Sequence, residues 1–331
     1  MKIIAEGKGP LFTDPDPDKA REHFRTKSRA LTDKRTTIED AVRRFVHDGD
    51  YLGIGGFGGV RIPTAGIFEI LRQGRKHLGF AGHTSTFDCM VLAAGEAFDR
   101  CDAAYIVGLE ARGLSAVARR YFESGKVKVC EWTNYGLACR LNAAVAAVPF
   151  VIGRSMLGTE TFERSAAKIV ECPFTGKRFV AFPALYPDVA IIHVHEADMY
   201  GDCYFRGIAV ADDVLVRASK RVIITTERIV DNEVFRRDPN RTMIPYFCVD
   251  AVVEVPHGCY PGNMAYEYFS DEDHIRAWFD AERDDDTLKA FLEKYVYGPR
   301  NFAEYLELCG GEKRLAELKR LELLDGREVK R

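Results

Sequence analysis

Five glycines fall between Gly53 and Gly59 in the stretch DGDYLGIGGFGGVRIP, residues 48–63. Each glycine gives up more backbone entropy on folding than any other residue, so such density implies positive φ angles or a close approach to the backbone. Gly53, Gly55 and Gly58 have the GxGxxG spacing that can cradle a pyrophosphate. That chemistry also needs a full preceding strand, a helix opening at the last glycines and an acid about 20 residues on. Here only Leu52 and Ile54 supply a short strand, the next helix begins at Pro63, and Leu78 stands where the acid is needed. A dinucleotide is therefore disfavoured, and the visitor to this loop is left as a ligand, a partner chain or another loop.

Other chemistry-bearing residues follow predicted strands, and open α/β sheets place ligands at the carboxyl ends of their strands. His83, Thr84 and Ser85 follow one strand, Glu110 follows one ending at Val107, and Asn134 follows one ending near Glu131. Together they would line one sheet edge beside the glycine loop. A buried Glu110 could act as nucleophile or base, although a capping or interface carboxylate is the favoured reading. His193 and His195 alternate on a strand near Glu196 and Asp198, yet no third ligand has convincing spacing. They read as strand-end residues bonded to backbone, and no metal is expected.

The elements that must position these residues come from pattern. Thr36 and Glu39 have capping-box spacing before a helix with Ile38, Ala41, Val42 and Phe45 on one face, stopped by Gly49. Pro63 suits the first turn of a helix carrying Ile67, Ile70 and Leu71 and ending at Gly74. Strands then alternate with helices: Leu78–Ala81, Ala103–Val107 and Val127–Glu131 against 89–94, 115–124 and 136–147. Further β-branched runs at Val189–Val194, Arg221–Thr225 and Val249–Val255 extend the layer.

The expected fold is α/β: an open, mostly parallel sheet flanked by helices, with an antiparallel hairpin around CPFTGK added to the layer. A charged helical tail runs over about 271–331. Residues 1–35 read as an arm lying across a neighbouring subunit or as a mobile tail, and 36–331 as one domain.

The chain of 331 residues carries a net charge of −3, which gives no electrostatic reason to expect nucleic acid or an anionic membrane. No apolar run approaches the ~18 residues of a membrane span, and Met1–Lys34 is too charged for a signal peptide. A cytoplasmic enzyme is the default. The nine cysteines form no CxxC pair and read as reduced core thiols.

The glycine stretch resembles the signature of class I coenzyme A transferases, specifically their α subunits and within them the glutaconate CoA-transferase branch. FEILRQG, ESGKVKV, AAVAAVPF, DVAIIHVHEAD with Gly201 and Asp202, RRDP, IPYFCVDAVVEVPHG and FAEYLELCG carry the likeness from Thr36 to the C-terminus. Gly53, where the signature usually has an aliphatic residue, and Arg61, where it commonly has glycine, depart from it.

The resemblance implies a nucleophilic glutamate on a β subunit that takes up CoA as a glutamyl-CoA thioester in a ping-pong cycle. Thr84 occupies the glutamate position here, so no catalytic nucleophile is expected in this chain. It would supply one wall of an interfacial site. The NH groups of Gly55, Gly56, Phe57 and Gly58 would face the oxyanion, and Arg61 the distal carboxylate of a dicarboxylic acyl group. His83, Thr84, Ser85 and Asn134 would line the pocket, supported by Glu110. The implied partner is a β subunit in an α2β2 or α4β4 assembly, with a CoA thioester as substrate and no covalently bound cofactor. The alternative is a CoA-thioester-dependent C–C hydrolase or decarboxylase of the steroid-ring-opening type. Asn134 stands where its acid would be sought, which weighs against it. An orphan CoA-binding or regulatory chain is a third reading that no residue favours.

Overall fold

The structure is a computed structural model, described over residues 1–106, 108 and 111–324. Among these residues twelve strands form, in chain order β1 (Ile3–Glu6), β2 (Tyr51–Ile54), β3 (Leu78–Gly82), β4 (Phe98–Ala103), β5 (Lys128–Glu131), β6 (Phe150–Gly153), β7 (Lys168–Glu171), β8 (Arg178–Pro183), β9 (Val189–Ala197), β10 (Cys203–Tyr204), β11 (Arg221–Ile229) and β12 (Ala251–Glu254). The main sheet runs in the order β12-β11-β9-β2-β3-β4-β5, with β10 paired to β9. Every pairing in it is parallel except β10 with β9.

Strand β9, VAIIHVHEA, lies near the centre and is buried along almost its whole length, as a parallel strand covered on both faces must be. Alternate residues feed two cores. Leu52, Val189, Ile191 and Ile223 face one, and Tyr51, Ala190, Ile192 and Ile224 face the other. Helix Thr64–Arg72 covers the first through Ile67, Ile70 and Leu71, and helix Asn134–Val145 covers the second through Leu137 and Leu141.

Four expectations need correction. The cap of helix Ile38–Phe45 is Thr37, whose hydroxyl accepts from the Asp40 NH, one residue later than the pattern suggests. Strand β4 ends at Ala103 rather than starting there, because its charged text FDRCDA hides a strand. Asp102 is fully buried there: its carboxylate accepts from Trp132 Nε1 at 2.6 Å and from the Tyr51 hydroxyl, beside Arg140 Nη1 at 2.7 Å.

The hairpin forms, β7 against β8 with Ile169 opposite Val180, but in a separate antiparallel sheet ordered β1-β7-β8-β6. Val180 and Phe182 pack with Leu137 of helix Asn134–Val145, so the hairpin lies over that helix instead of extending the layer.

The N-terminal segment folds back on its own chain. β1 pairs with β7, and helix Pro17–Thr26 sets Phe24 against Tyr186. Lys27 then anchors the segment to Asp250 at 2.7 Å and to the carbonyls of Cys248 and Lys220.

The tail is helical as expected, with helices Glu272–Ala281, Asp285–Leu292, Phe302–Leu308 and Gly311–Glu322. Trp278, Phe291, Tyr295 and Tyr305 pack into one aromatic cluster with His274. Residues 325–331 lie outside the described residues. No helix among the described residues is long and apolar enough to cross a membrane.

Candidate functional site

From β2 the sheet grows one way through β3, β4 and β5, and from β9 the other way through β11 and β12. The boundary between β2 and β9 is a topological switch point, where the loops leaving the strand ends diverge and open a crevice. The glycine loop leaves the carboxyl end of β2 at this boundary.

The loop is bound on all sides by its own chain. Gly55 NH donates to Ile191 O at 2.9 Å, Gly56 NH to Asp212 Oδ1 at 2.9 Å, Phe57 NH to Val60 O at 3.0 Å and Gly58 NH to Thr84 O at 2.9 Å. The NH groups of Gly55, Gly56, Phe57 and Gly58, expected to face the oxyanion, are thus engaged within this chain. The glycines answer to packing. Gly56 has φ +86°, and a Cβ there would lie 2.5 Å from Val60 O. A Cβ on Gly55 would stand 2.8 Å from Ile192 and 3.0 Å from Asp212.

Arg61 is also committed. It is fully buried, pairs with Asp212 at 2.7 and 3.1 Å, donates to Ile208 O and stacks 4.4 Å over the Phe205 ring. The guanidinium expected to meet a substrate carboxylate is held here in an internal ion pair with Asp212. Asp212 is therefore the hinge of the local geometry, holding Gly56 NH and Arg61 together. Nothing in its sequence context, AVADDVL, distinguishes it from its neighbour Asp213.

The structure does gather His83, Thr84, Ser85 and Asn134 at the carboxyl ends of β3 and β5. Thr84 sits at φ +53° in the turn after β3. Thr86 Oγ1 donates to Gly58 O at 2.7 Å, and Ser85 NH to Tyr105 O at 2.9 Å, tying this turn to the glycine loop and to the β4 exit. Fully buried Asp88 braces the turn by accepting from Thr86 NH at 2.7 Å and from the Ser85 side chain. Burial pushes the Asp88 carboxyl up to about 6 despite these bonds.

The His83 ring stands edge-on to Phe57, 5.7 Å between centroids. Burial lowers its pKa, offset in part by the Asn134 backbone, so the imidazole is neutral at neutral pH. Three buried polar atoms after β3 and β5 have no hydrogen-bond partner among the described residues, His83 Nε2, Thr84 Oγ1 and Asn134 Oδ1, and Arg61 Nε beneath the glycine loop is a fourth. Buried polar groups are nearly always paired, so unspent ones at a sheet edge are the mark of a ligand-facing surface. Glu110 lies outside the described residues.

His193 and His195 do other work. His195 accepts from Arg206 NH at 3.1 Å and meets Ala265 O at 2.7 Å, backbone partners as expected, and burial brings its pKa down to about 4. His193 meets side chains instead, Thr225 Oγ1 at 2.8 Å and Glu227 Oε1 at 2.9 Å. No group of three potential ligands that could hold a metal occurs among the described residues.

A mostly parallel α/β layer with its unspent polar groups at the switch-point edge defines a ligand-binding protein of the open-sheet class. Within that class the chain belongs to the coenzyme A transferase family, whose sequence profile, described as Coenzyme A transferase, matches residues 35–255. It is 48% identical over 331 residues to an uncharacterized protein of Archaeoglobus fulgidus, covering 99% of this chain and 74% of that one. Over 306 residues it is 31% identical to the α subunit of glutaconate CoA-transferase from Acidaminococcus fermentans, covering 86% and 94%. The crystal structure of glutaconate coenzyme A-transferase from Acidaminococcus fermentans matches with a TM-score of 0.83 at 29% identity, covering 86% of this chain and 95% of that one.

Proposed function

We propose that this chain is the α subunit of a two-subunit CoA-transferase that moves CoA between an acyl-CoA and a carboxylate, and that alone it is catalytically incomplete. The observation that carries this reading is the trio of unspent polar atoms at the switch-point edge, on His83, Thr84 and Asn134, with no free carboxylate beside them among the described residues. Among the described residues at that edge, Asp212 is locked to Arg61 and Asp88 is buried in its own turn. Thr84 stands where the nucleophile is expected, and a hydroxyl cannot form the glutamyl-CoA thioester of a ping-pong transfer. The glutamate is accordingly assigned to a β subunit.

This chain would orient the substrate. Neutral His83 and the Thr84 hydroxyl can each donate to a thioester or carboxylate oxygen, and Asn134 Oδ1 can accept from the acyl or pantetheine part. Arg61, Asp212 and the glycine loop act indirectly, as the rigid floor under these groups. Ser85 holds the turn. Exposed apolar side chains around the edge support a partner there: Leu114 (65% exposed), Ile208 (51%) and Tyr266 (55%) on loops and Tyr135 (57%) in the first turn of helix Asn134–Val145. The assembly is read as α2β2 or α4β4, working in the cytoplasm on soluble acyl-CoA.

The test is co-expression with the β chain, followed by acyl-CoA with and without an acceptor carboxylate. Transfer that needs the acceptor supports the proposal. CoA release without any acceptor would replace it with the hydrolase or decarboxylase chemistry.

A further inference from the structure

The family match ends at residue 255, yet the glycine loop is held from beyond it. Asn263 pairs with the loop through its backbone on both sides: its NH donates to Gly59 O at 2.7 Å, and its carbonyl accepts from Arg61 NH at 2.8 Å. The approach is so close that a Cβ on neighbouring Gly262 would lie 2.7 Å from Gly59 O. Asn263 is itself gripped from the far end of the chain. Its Nδ2 donates to Glu322 Oε2 at 2.8 Å and to Tyr268 O at 2.8 Å, while Tyr266 NH donates to Glu322 Oε1 at 2.7 Å. Glu322 is the last residue of helix Gly311–Glu322, which is fixed in turn by Arg314 on Asp271 at 2.7 and 2.9 Å and by Phe269 NH on Leu318 O.

Two more tail carboxylates reach the neighbouring edge loop. Glu272 accepts from Arg112 Nε at 2.9 Å, and that guanidinium lies 3.4 Å from where a Gly59 Cβ would stand. Glu282 accepts from Ser115 Oγ at 2.6 Å and from Ala116 NH at 2.7 Å at the start of helix Ala116–Glu123. The tail thus holds two edge loops from beyond residue 255, and it does so through carboxylates accepting from backbone and side-chain donors, the stronger class of hydrogen bond.

We infer that the C-terminal helices are a positioning clamp for the site, with Glu322 the positioning residue that fixes the glycine loop through Asn263. Glu322 touches no reacting atom in this scheme. It acts by removing a degree of freedom from the floor under His83 and Thr84, and small misplacements there are costly to rate. Its kinetic consequence rests on the CoA-transferase reading, but its structural consequence does not.

The experiment has two arms. In the isolated chain, amide hydrogen exchange is followed for Glu322→Ala, Glu322→Gln and wild type. The peptide spanning residues 53–62 is expected to exchange at least tenfold faster in Glu322→Ala, with β9 and β11 unchanged and Glu322→Gln between the two. In the complex with the β chain, Glu322→Ala is expected to lower kcat tenfold or more while both KM values stay within twofold. Unchanged exchange in residues 53–62 overturns the inference whatever the activity. Faster exchange with full kcat leaves a local brace and overturns the positioning role. A wild-type complex without transferase activity fails the functional reading alone, because the exchange arm still decides the clamp. Should Glu322→Ala not fold, Glu322→Gln retains one acceptor and carries the same comparison.

Discussion

Replacing Arg61 with alanine separates a structural arginine from a substrate-binding one. The side chain is fully buried and makes two contacts with Asp212, at 2.7 and 3.1 Å. Its removal leaves Asp212, itself 2% exposed, with Gly56 NH and no compensating charge. Breaking a buried ion pair from one side costs about 3–5 kcal/mol. At about 2.1 cal/mol/K per residue, 331 residues give an unfolding entropy near 0.7 kcal/mol/K, so Tm should fall by roughly 4–7 °C. Adding Asp212→Asn to Arg61→Ala removes the stranded charge and keeps an acceptor for Gly56 NH. The double variant should therefore recover about 2 kcal/mol, a coupling energy readable from a urea-denaturation cycle. In the complex with its partner, the ratio of kcat/KM between dicarboxylate and monocarboxylate acceptors should change less than threefold. An Arg61→Ala chain of unchanged stability, with KM raised tenfold or more for dicarboxylates alone, would refute this account and return Arg61 to the pocket.

Three further outcomes are expected. Asp88 has its folded pKa raised from 3.8 to about 6, so the native state holds the proton more tightly and stability falls as pH rises from about 4 through 6. Asp88→Asn removes that dependence: its stability relative to wild type should rise by about 2–3 kcal/mol between pH 4 and pH 7.5 in urea titrations, whereas a pH-independent difference would contradict the assignment. Gly56→Ala, with its Cβ 2.5 Å from a carbonyl oxygen, should cost well over the ~1–2 kcal/mol of a left-handed alanine; Gly49→Ala, at φ +84° with open space around it, should cost about that amount, and thermal unfolding of both ranks them. His83→Ala removes one unspent donor and should lower kcat/KM of the assembled enzyme about tenfold without moving Tm more than a degree or two, checked by steady-state kinetics beside calorimetry.

The central strands were legible because a run such as Val189–Ile192 is apolar on both faces and reads as a covered parallel strand. Strand β4 was not, since Asp102 becomes buriable only through Arg140, Trp132 and Tyr51, all supplied by other elements. The glycine loop stands out in the sequence, but the reason for its glycines does not. The acceptors for its NH groups, Ile191 O, Asp212 and Thr84 O, come from distant parts of the chain that no local pattern connects. The ion pair of Arg61 is hidden for the same cause, as its partner lies 151 positions away. The gathering of His83, Thr84, Ser85 and Asn134 at one sheet edge was legible because position after a parallel strand is itself a local signal. The N-terminal segment reads as an arm because its charges have no helical apolar stripe, yet Lys27 finds Asp250 and two carbonyls once the sheet is built.

The claim that this chain is half of a transferase site is tested most directly by finding where CoA becomes covalently held. The assembled complex is incubated with acyl-CoA alone, treated with borohydride to reduce any enzyme thioester, and each chain is weighed intact by mass spectrometry beside an activity assay of the isolated 331-residue chain. The predicted result is a reduced glutamyl residue on the partner, an unmodified mass for this chain, and no transfer by this chain alone. A reduced adduct on this chain, or full transferase activity in the absence of the partner, would contradict the account.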